Sequence, residues 1–220
     1  MIIVKIGGGD GINIQGIVED LATLEEKFVI VHGANALRDR LAEELGRPKE
    51  VLTSVMGYTS VYSDENLLDV MMMAYAGLKN KRIVEMCHQK GINAVGLSGL
   101  DGKAVQGRRN KGVRVYRDGK LKIVRDFSGK PEAVNAPLLS LLLENGYVPV
   151  LTVPIIDEQN RAINTENDDV VRVLQKALKA DTVINLIEAS GFLEDKDDET
   201  SVISKISPSE LEAREQQVEG

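Results

Sequence analysis

Apolar residues fall along the chain in two alternating rhythms. Ile2 to Ile6 is a short apolar run that ends in Gly7-Gly8-Gly9. Residues 16–27 follow with Ile17, Leu21 and Leu24 at helical spacing. Phe28–Val31 reads as a second buried strand. The next helix carries Leu37, Leu41 and Leu45 on one face and stops at Gly46, with Pro48 just beyond. Residues 64–90 read as one long helix or two, with Gly77 as a weak point and Gly91 as the stop. Ile92–Leu97, Tyr147–Val153 and Thr182–Ile187 are further strands; residues 132–145 and 168–180 are further helices. Strands alternating with helices predict a three-layer αβα sandwich around a mainly parallel sheet.

Residues 103–125 break that rhythm. Val113–Tyr116 and Leu121–Val124 flank Arg117-Asp118-Gly119-Lys120, where Asp-Gly signals a tight turn. An antiparallel hairpin inserted in the α/β domain is expected there. Near the end, Ser207-Pro208-Ser209-Glu210 is a capping box that opens one more helix.

Composition narrows the picture. Apolar residues make up 43% of the 220, enough for a sizeable core, but aromatics are 4% and Trp is absent. The core is therefore aliphatic. A lone cysteine, Cys87, excludes an internal disulfide framework and fits a reducing cytoplasm. Lys5 interrupts the apolar start, which is too short for a signal peptide. No stretch approaches the roughly 20 apolar residues that span a bilayer. A cytoplasmic chain without a membrane partner is expected.

The net charge of −7 argues against nucleic-acid binding. It hides an asymmetry. Between Asp101 and Lys130 ten basic residues face three acidic ones, a balance of +7 that leaves the rest of the chain at −14. A solvated charged hairpin and a docking surface for an acidic partner both account for it.

Two glycine turns close strands: Val4-Lys5-Ile6-Gly7-Gly8-Gly9 and Val31-His32-Gly33-Ala34-Asn35. Either they only reverse the chain, or their N–H groups form an anion site beyond the C-terminal strand ends. Lys5, the one charge in its run, tips the balance toward the second reading. Neither turn is a P-loop or a dinucleotide fingerprint. Asn164-Thr165-Glu166-Asn167-Asp168-Asp169 precedes a helix, either as a solvated cap or as a site with an amide and a carboxylate. His88 and Cys87 lack neighbouring metal ligands and read as packing, and no metal site is expected.

At these positions the chain resembles the amino-acid kinase family, in its N-acetylglutamate kinase branch. Val4–Gly8, Val29–Asn35, Ala162–Asp168 and Leu186–Leu193 are similar, in order, to the motifs of that branch. Val95–Gly102, Gly107-Arg108-Arg109, the basic hairpin and Glu144–Leu151 resemble the kinases of lysine biosynthesis. These act on aminoadipate held through its α-amino group by a small acidic carrier protein. The resemblance implies an amino-acid kinase fold in one domain over 1–220. Its substrate lobe would span about 1–154 and its nucleotide lobe about 155–220, the latter incomplete, and the enzyme would be a homodimer. It implies transfer of the ATP γ-phosphoryl to a side-chain carboxylate of aminoadipate or glutamate, with Mg²⁺ arriving on ATP. Free N-acetylglutamate as acceptor and a non-catalytic binding member are the alternatives.

It also implies roles. Lys5 would stabilise the transition state and Asp168 would orient it. Gly7 and Gly8 would meet the phosphates; Glu188, Gly191, Phe192 and Leu193 would border the nucleotide. Gly33, Ala34, Asn35, Val61 and Asn164 would meet the acceptor. Arg108, Arg109, Lys111 and Arg114 would dock the carrier. Three departures stand out. Ala34 and Asn35 replace glycines of the second turn, and would narrow the backbone approach or add an amide ligand. Val61 stands where the family has an Arg that clamps a carboxylate, so another Arg, such as Arg108 or Arg109, would have to substitute. The family's second catalytic lysine follows a glycine matching Gly220, so the chain is expected to be a fragment that stops short of it.

Overall fold

The computed structural model describes residues 1–55, 57, 59–117, 120–195 and 197–218. Elements run in chain order from strand β1 (Ile2–Ile6) and helix α1 (Ile14–Leu21) to β2 (Phe28–His32) and α2 (Asn35–Glu44). A small ribbon of β3 (Val51–Thr53) and β4 (Thr59–Val61) comes next. Then α3 (Glu65–Met71), a π-helical stretch (Met72–Lys79) and α4 (Asn80–Gln89) join end to end. After β5 (Ala94–Ser98) come β6 (Val105–Arg109), β7 (Val113–Arg117), β8 (Lys120–Val124) and β9 (Gly129–Val134). The chain continues through α5 (Ala136–Glu144), β10 (Val148–Thr152), β11 (Ile155–Ile156), β12 (Ala162–Ile163), α6 (Asn167–Leu178), β13 (Thr182–Leu186) and α7 (Pro208–Val218).

Two compact units divide the chain, Met1–Leu186 and Ile187–Gly220. In the first, five strands pair in parallel in the order β13-β1-β2-β10-β5. Parallel strands need crossovers, and the helices supply them. Side chains alternate across the sheet. Ile3, Val29, Val31 and Leu151 face one side, packed with Leu67, Leu68 and Met71 of α3, Leu139 of α5 and Val170, Val171 and Leu174 of α6. Ile2, Val4, Ile6, Phe28, Ile30 and Val150 face the other, packed with Val18 and Leu21 of α1 and Ile83 and Cys87 of α4. These two dry interfaces make the three layers. Each fully buried aliphatic contributes about 1.5–3 kcal/mol.

A second, four-stranded sheet (β12-β11-β6-β9) and two hairpins complete this unit. β7 and β8 pair antiparallel from Val113 opposite Val124 to Arg117 opposite Lys120, the inserted hairpin that the alternation predicts. The Asp118-Gly119 turn expected there lies outside the described residues. The backbone N–H of Val55 donates to Arg114 O at 2.9 Å, tying the β3–β4 loop to this hairpin.

Residues 129–134 correct an expectation. They form β9, paired with β6, where the leucine periodicity predicts helix from 132. The helix starts only at Ala136, where the Asn135 side chain caps the N–H of Leu138. Gly77 sits within the π-helical stretch, and one rod runs from Glu65 to Gln89.

In the second unit, Leu193 bridges Val202, and Ile203 N–H donates to Phe192 O at 2.7 Å. The capping box forms as written. Ser207 N–H donates to Glu210 Oε2 at 2.7 Å, and Glu210 N–H donates to Ser207 Oγ at 3.3 Å. Arg214 pairs with Glu194 at 2.8 Å.

Candidate active site

β1 and β2 are parallel neighbours in register, with Lys5 opposite Val31 and Ile6 opposite His32. Their glycine turns therefore emerge side by side at the C-terminal edge of the sheet. The turns also touch. A Cβ on Gly8 would lie 2.6 Å from Asn35 N and 3.0 Å from Ala34 N; one on Gly33 would lie 2.9 Å from Gly8 N. Only glycine permits that approach at both places. Ala36 N–H donates to Gly8 O at 3.1 Å, which fixes the first turn against the start of α2. No side chain caps that helix start. Its other leading N–H groups and its positive dipole end remain available to an anion.

Beside the turns lies a cleft of about 860 Å³. Lys5 lines it, because odd positions of β1 face α6. Asp168, in the first turn of α6, meets the ammonium at 2.9 Å. Lys5 is mostly buried (side chain 14% exposed) and Asp168 is open (69%), so the pair presents its carboxylate to water and its cation to the cleft. Lys130 also lines the cleft and pairs with Asp169 at 2.5 Å.

Asn164 is set by a buried knot that the sequence reading did not single out. Asp126, 3% exposed, accepts Ser63 N–H on Oδ2 at 3.1 Å and the Ser128 hydroxyl on Oδ1 at 2.6 Å. Ser63 Oγ then accepts the Asn164 amide at 3.0 Å. The signal was Asp126-Phe127-Ser128, an Asx-turn pattern in which Ser128 N–H returns to the Asp126 side chain. Thr165 Oγ1 and Asn167 Oδ1 are buried atoms without a partner among the described residues, and both residues line the cleft. Buried polar atoms of this kind are ordinarily satisfied by water or a ligand.

A lysine at a strand end, two interlocked glycine turns, an uncapped helix start and an acid on the covering helix converge on one cleft. Residues 1–220 match the amino acid kinase family. The chain belongs to that family. It is a phosphotransferase, and the family uses ATP. The LysW-aminoadipate kinase of Thermus thermophilus is 41% identical over 216 residues, 96% of this chain and 80% of that protein. The enzyme of the same name from Deinococcus radiodurans is 42% identical over 217 residues, 97% of this chain and 74% of that protein. The acetylglutamate kinase of Methanopyrus kandleri is 32% identical, covering 98% and 82%. Among solved structures, the Streptococcus mutans protein smu.665 superposes with a TM-score of 0.72 at 20% identity, covering 99% of this chain and 82% of that one. At that identity the likeness speaks for the fold alone.

The other expected site residues fall in several places. Gly7, Gly8, Gly33, Asn35, Val61 and Asn164 line the kinase cleft with Lys5 and Asp168. Ala34 does not: it is fully buried and belongs to the hydrophobic core cluster that holds Ile3, Val29 and Val31. Neither Arg108 nor Arg109 lines the cleft. Arg108 pairs with Glu132 at 3.2 Å on the surface. Arg109 donates to Asp126 O at 2.6 Å and stacks over Phe127, 4.0 Å from the ring centre. The arginines that line the cleft are Arg38 and Arg114. Lys111 is exposed at the base of the β7–β8 hairpin. Glu188, Gly191, Phe192 and Leu193 lie in the unit Ile187–Gly220, with Phe192 half exposed.

Arg38 was missed because it reads as one of several charges on an amphipathic helix. Cys87 is a packing residue, as the sequence suggests, whereas His88, read the same way, points to solvent from the outer face of α4. His32 is fully buried, and its Nε2 accepts from the Asn80 amide at 3.1 Å. Burial pushes the Cys87 thiol up to about 11.

Proposed function

We propose that this kinase transfers the γ-phosphoryl of ATP to the side-chain carboxylate of aminoadipate or glutamate carried by a small acidic amino-group carrier protein. The observation that carries this reading is the Lys5–Asp168 pair set in the cleft beside the Gly8 and Gly33 turns. The residues fit a phosphate chain. Two turns that a Cβ would block, the uncapped start of α2, Lys5 and Lys130 all offer donors or positive charge. Among the described residues no three His, Cys, Asp or Glu side chains converge to hold a metal. Mg²⁺ would then ride on the nucleotide's own phosphates.

ATP supplies the transferable group. An acceptor carboxylate is ionised near neutral pH, so no residue has to remove a proton. Catalysis is left to positioning and to positive charge. Lys5 faces the oxygens on which charge accumulates, and Asp168 keeps its ammonium aimed there. Backbone N–H groups at Gly8 and at the start of α2 bind equatorial oxygens. Asn164, fixed through Ser63 and Asp126, positions the acceptor. The products are ADP and an acyl phosphate.

The acidic carrier is supported by charge. The β7–β8 hairpin lies in the +7 segment, and its Arg114 reaches the cleft. Glu188, Gly191, Phe192 and Leu193 border the adenosine in this reading, and the active unit is a homodimer.

The test is ADP release from ATP with three acceptors: carrier-linked aminoadipate, carrier-linked glutamate and free N-acetylglutamate. Turnover with a carrier-linked acid, reduced about 100- to 1,000-fold in kcat by Lys5→Ala, is expected. ADP formed only with the free acid would overturn the carrier reading.

A further inference from the structure

The cleft holds a second polar seat that phosphoryl transfer does not use. Asn35 and Arg38 stand three residues apart on the first turns of α2, so they share one face, and both line the cleft. Each is restrained on one side only. Tyr75 comes from the π-helical stretch and donates its hydroxyl to Asn35 Oδ1. The Asn35 amide is left with its N–H donors. Asp39 takes Arg38 Nε and one terminal nitrogen on a single oxygen, at 2.8 and 2.7 Å. The other oxygen of Asp39 takes Lys49. Two cations thus share one acid, and the guanidinium keeps a terminal nitrogen that no described acceptor takes.

Burial makes this arrangement costly unless something uses it. Arg38 is only 8% exposed, so its charge has lost most of its water. Val61 lines the same cleft with a side chain that cannot bind an anion.

We propose that Asn35 and Arg38 together seat a second carboxylate of the acceptor, the one that is not phosphorylated. The proposal rests on the kinase reading above and adds which residues select for the acceptor's free second carboxylate. Arg38 sets specificity; Tyr75 and Asp39 are positioning residues that aim the two donors. A purely structural Arg38 would brace Asp39 and have no say in which acceptor is used.

The experiment compares carrier-linked aminoadipate with carrier-linked 5-aminopentanoate, the same chain without the second carboxylate. ADP release is measured for the wild type, Arg38→Met, Arg38→Lys and Tyr75→Phe. The wild type is expected to prefer aminoadipate by about 10- to 100-fold in kcat/KM. Arg38→Met should compress that preference to a few-fold by raising the acceptor KM, with the KM for ATP within about twofold of wild type. Arg38→Lys should recover part of the preference, and Tyr75→Phe should lose part of it. A preference that survives Arg38→Met, or a wild type without one, overturns the proposal and leaves the kinase reading standing. A wild type inactive on every carboxylate sinks the kinase reading instead. Calorimetric titration with N-acetylaminoadipate then decides the seat, because equal binding to wild type and Arg38→Met overturns it and loss of binding supports it. Tm values for each variant separate misfolding from altered recognition.

Discussion

His32 shows what a buried histidine next to a site can be for. Its Nδ1 donates to Gly33 O at 3.2 Å, so Nε2 is left to accept from Asn80. Both bonds suit the neutral ring. Burial first, with help from Lys79 and Lys81, lowers its pKa from 6.5 to about 4. Because the folded pKa is depressed, the unfolded chain binds the proton more readily. The stabilisation is complete above about pH 6.5 and is lost as pH falls toward 4. Wild type is expected to lose about 3 kcal/mol more than His32→Gln across that window. Denaturant unfolding at a series of pH values measures it; parallel curves for the two proteins would reject the assignment. None of this is visible in the sequence, where a histidine before a glycine turn looks the same whether catalytic or structural. The hydrogen-bond partner lies 48 residues away.

At the scale of elements, Asn80 is the joint behind the site. It is fully buried at the start of α4, and its amide nitrogen donates to His32 on β2 and to Val150 O on β10 at 2.9 Å. Its oxygen accepts from Lys81 at 3.0 Å, and β5 approaches so closely that a Cβ on Gly96 would strike that oxygen. Asn80→Ala leaves buried acceptors unpaired and should cost about 2 kcal/mol, read as a lower midpoint in urea. Elements built from local signals were legible in advance. Alternating apolar runs gave β1, β2, β10 and β13, and Asp-Gly between two such runs gave the β7–β8 hairpin. β9 was not legible, because Gly129–Val134 becomes a strand only by pairing with β6, while the leucines of α5 project a helical rhythm back over it. The stop was there to read: Asn135 caps the helix and Pro137 sits in its first turn.

For the whole molecule, the order of motifs along the chain was enough to anticipate the layered fold and the Lys5–Asp168 encounter across 163 residues. That Arg38 faces the cleft was not, since that depends on how α2 is rotated against the π-helical stretch. The uneven charge distribution carries its own prediction. If an acidic carrier approaches the +7 segment, its association is screened by salt. Raising ionic strength from about 0.05 to 0.5 M, which shortens the screening length severalfold, should raise the KM for a carrier-linked acceptor. The KM for ATP should move much less. Equal salt sensitivity of the two would separate the hairpin from docking.

The interlocked glycine turns also constrain how such a kinase can diversify. A methyl group added at Gly8 or Gly33 meets backbone of the opposing turn first, at a distance that trimming a side chain would not relieve. No compensating partner exists one mutational step away, so these two positions are locked as a pair. Variation is pushed to their neighbours. Ala34 turns its methyl into the core and Asn35 extends its amide into the cleft. Lineages can therefore retune the acceptor beside the phosphate cradle while inheriting the cradle itself unchanged.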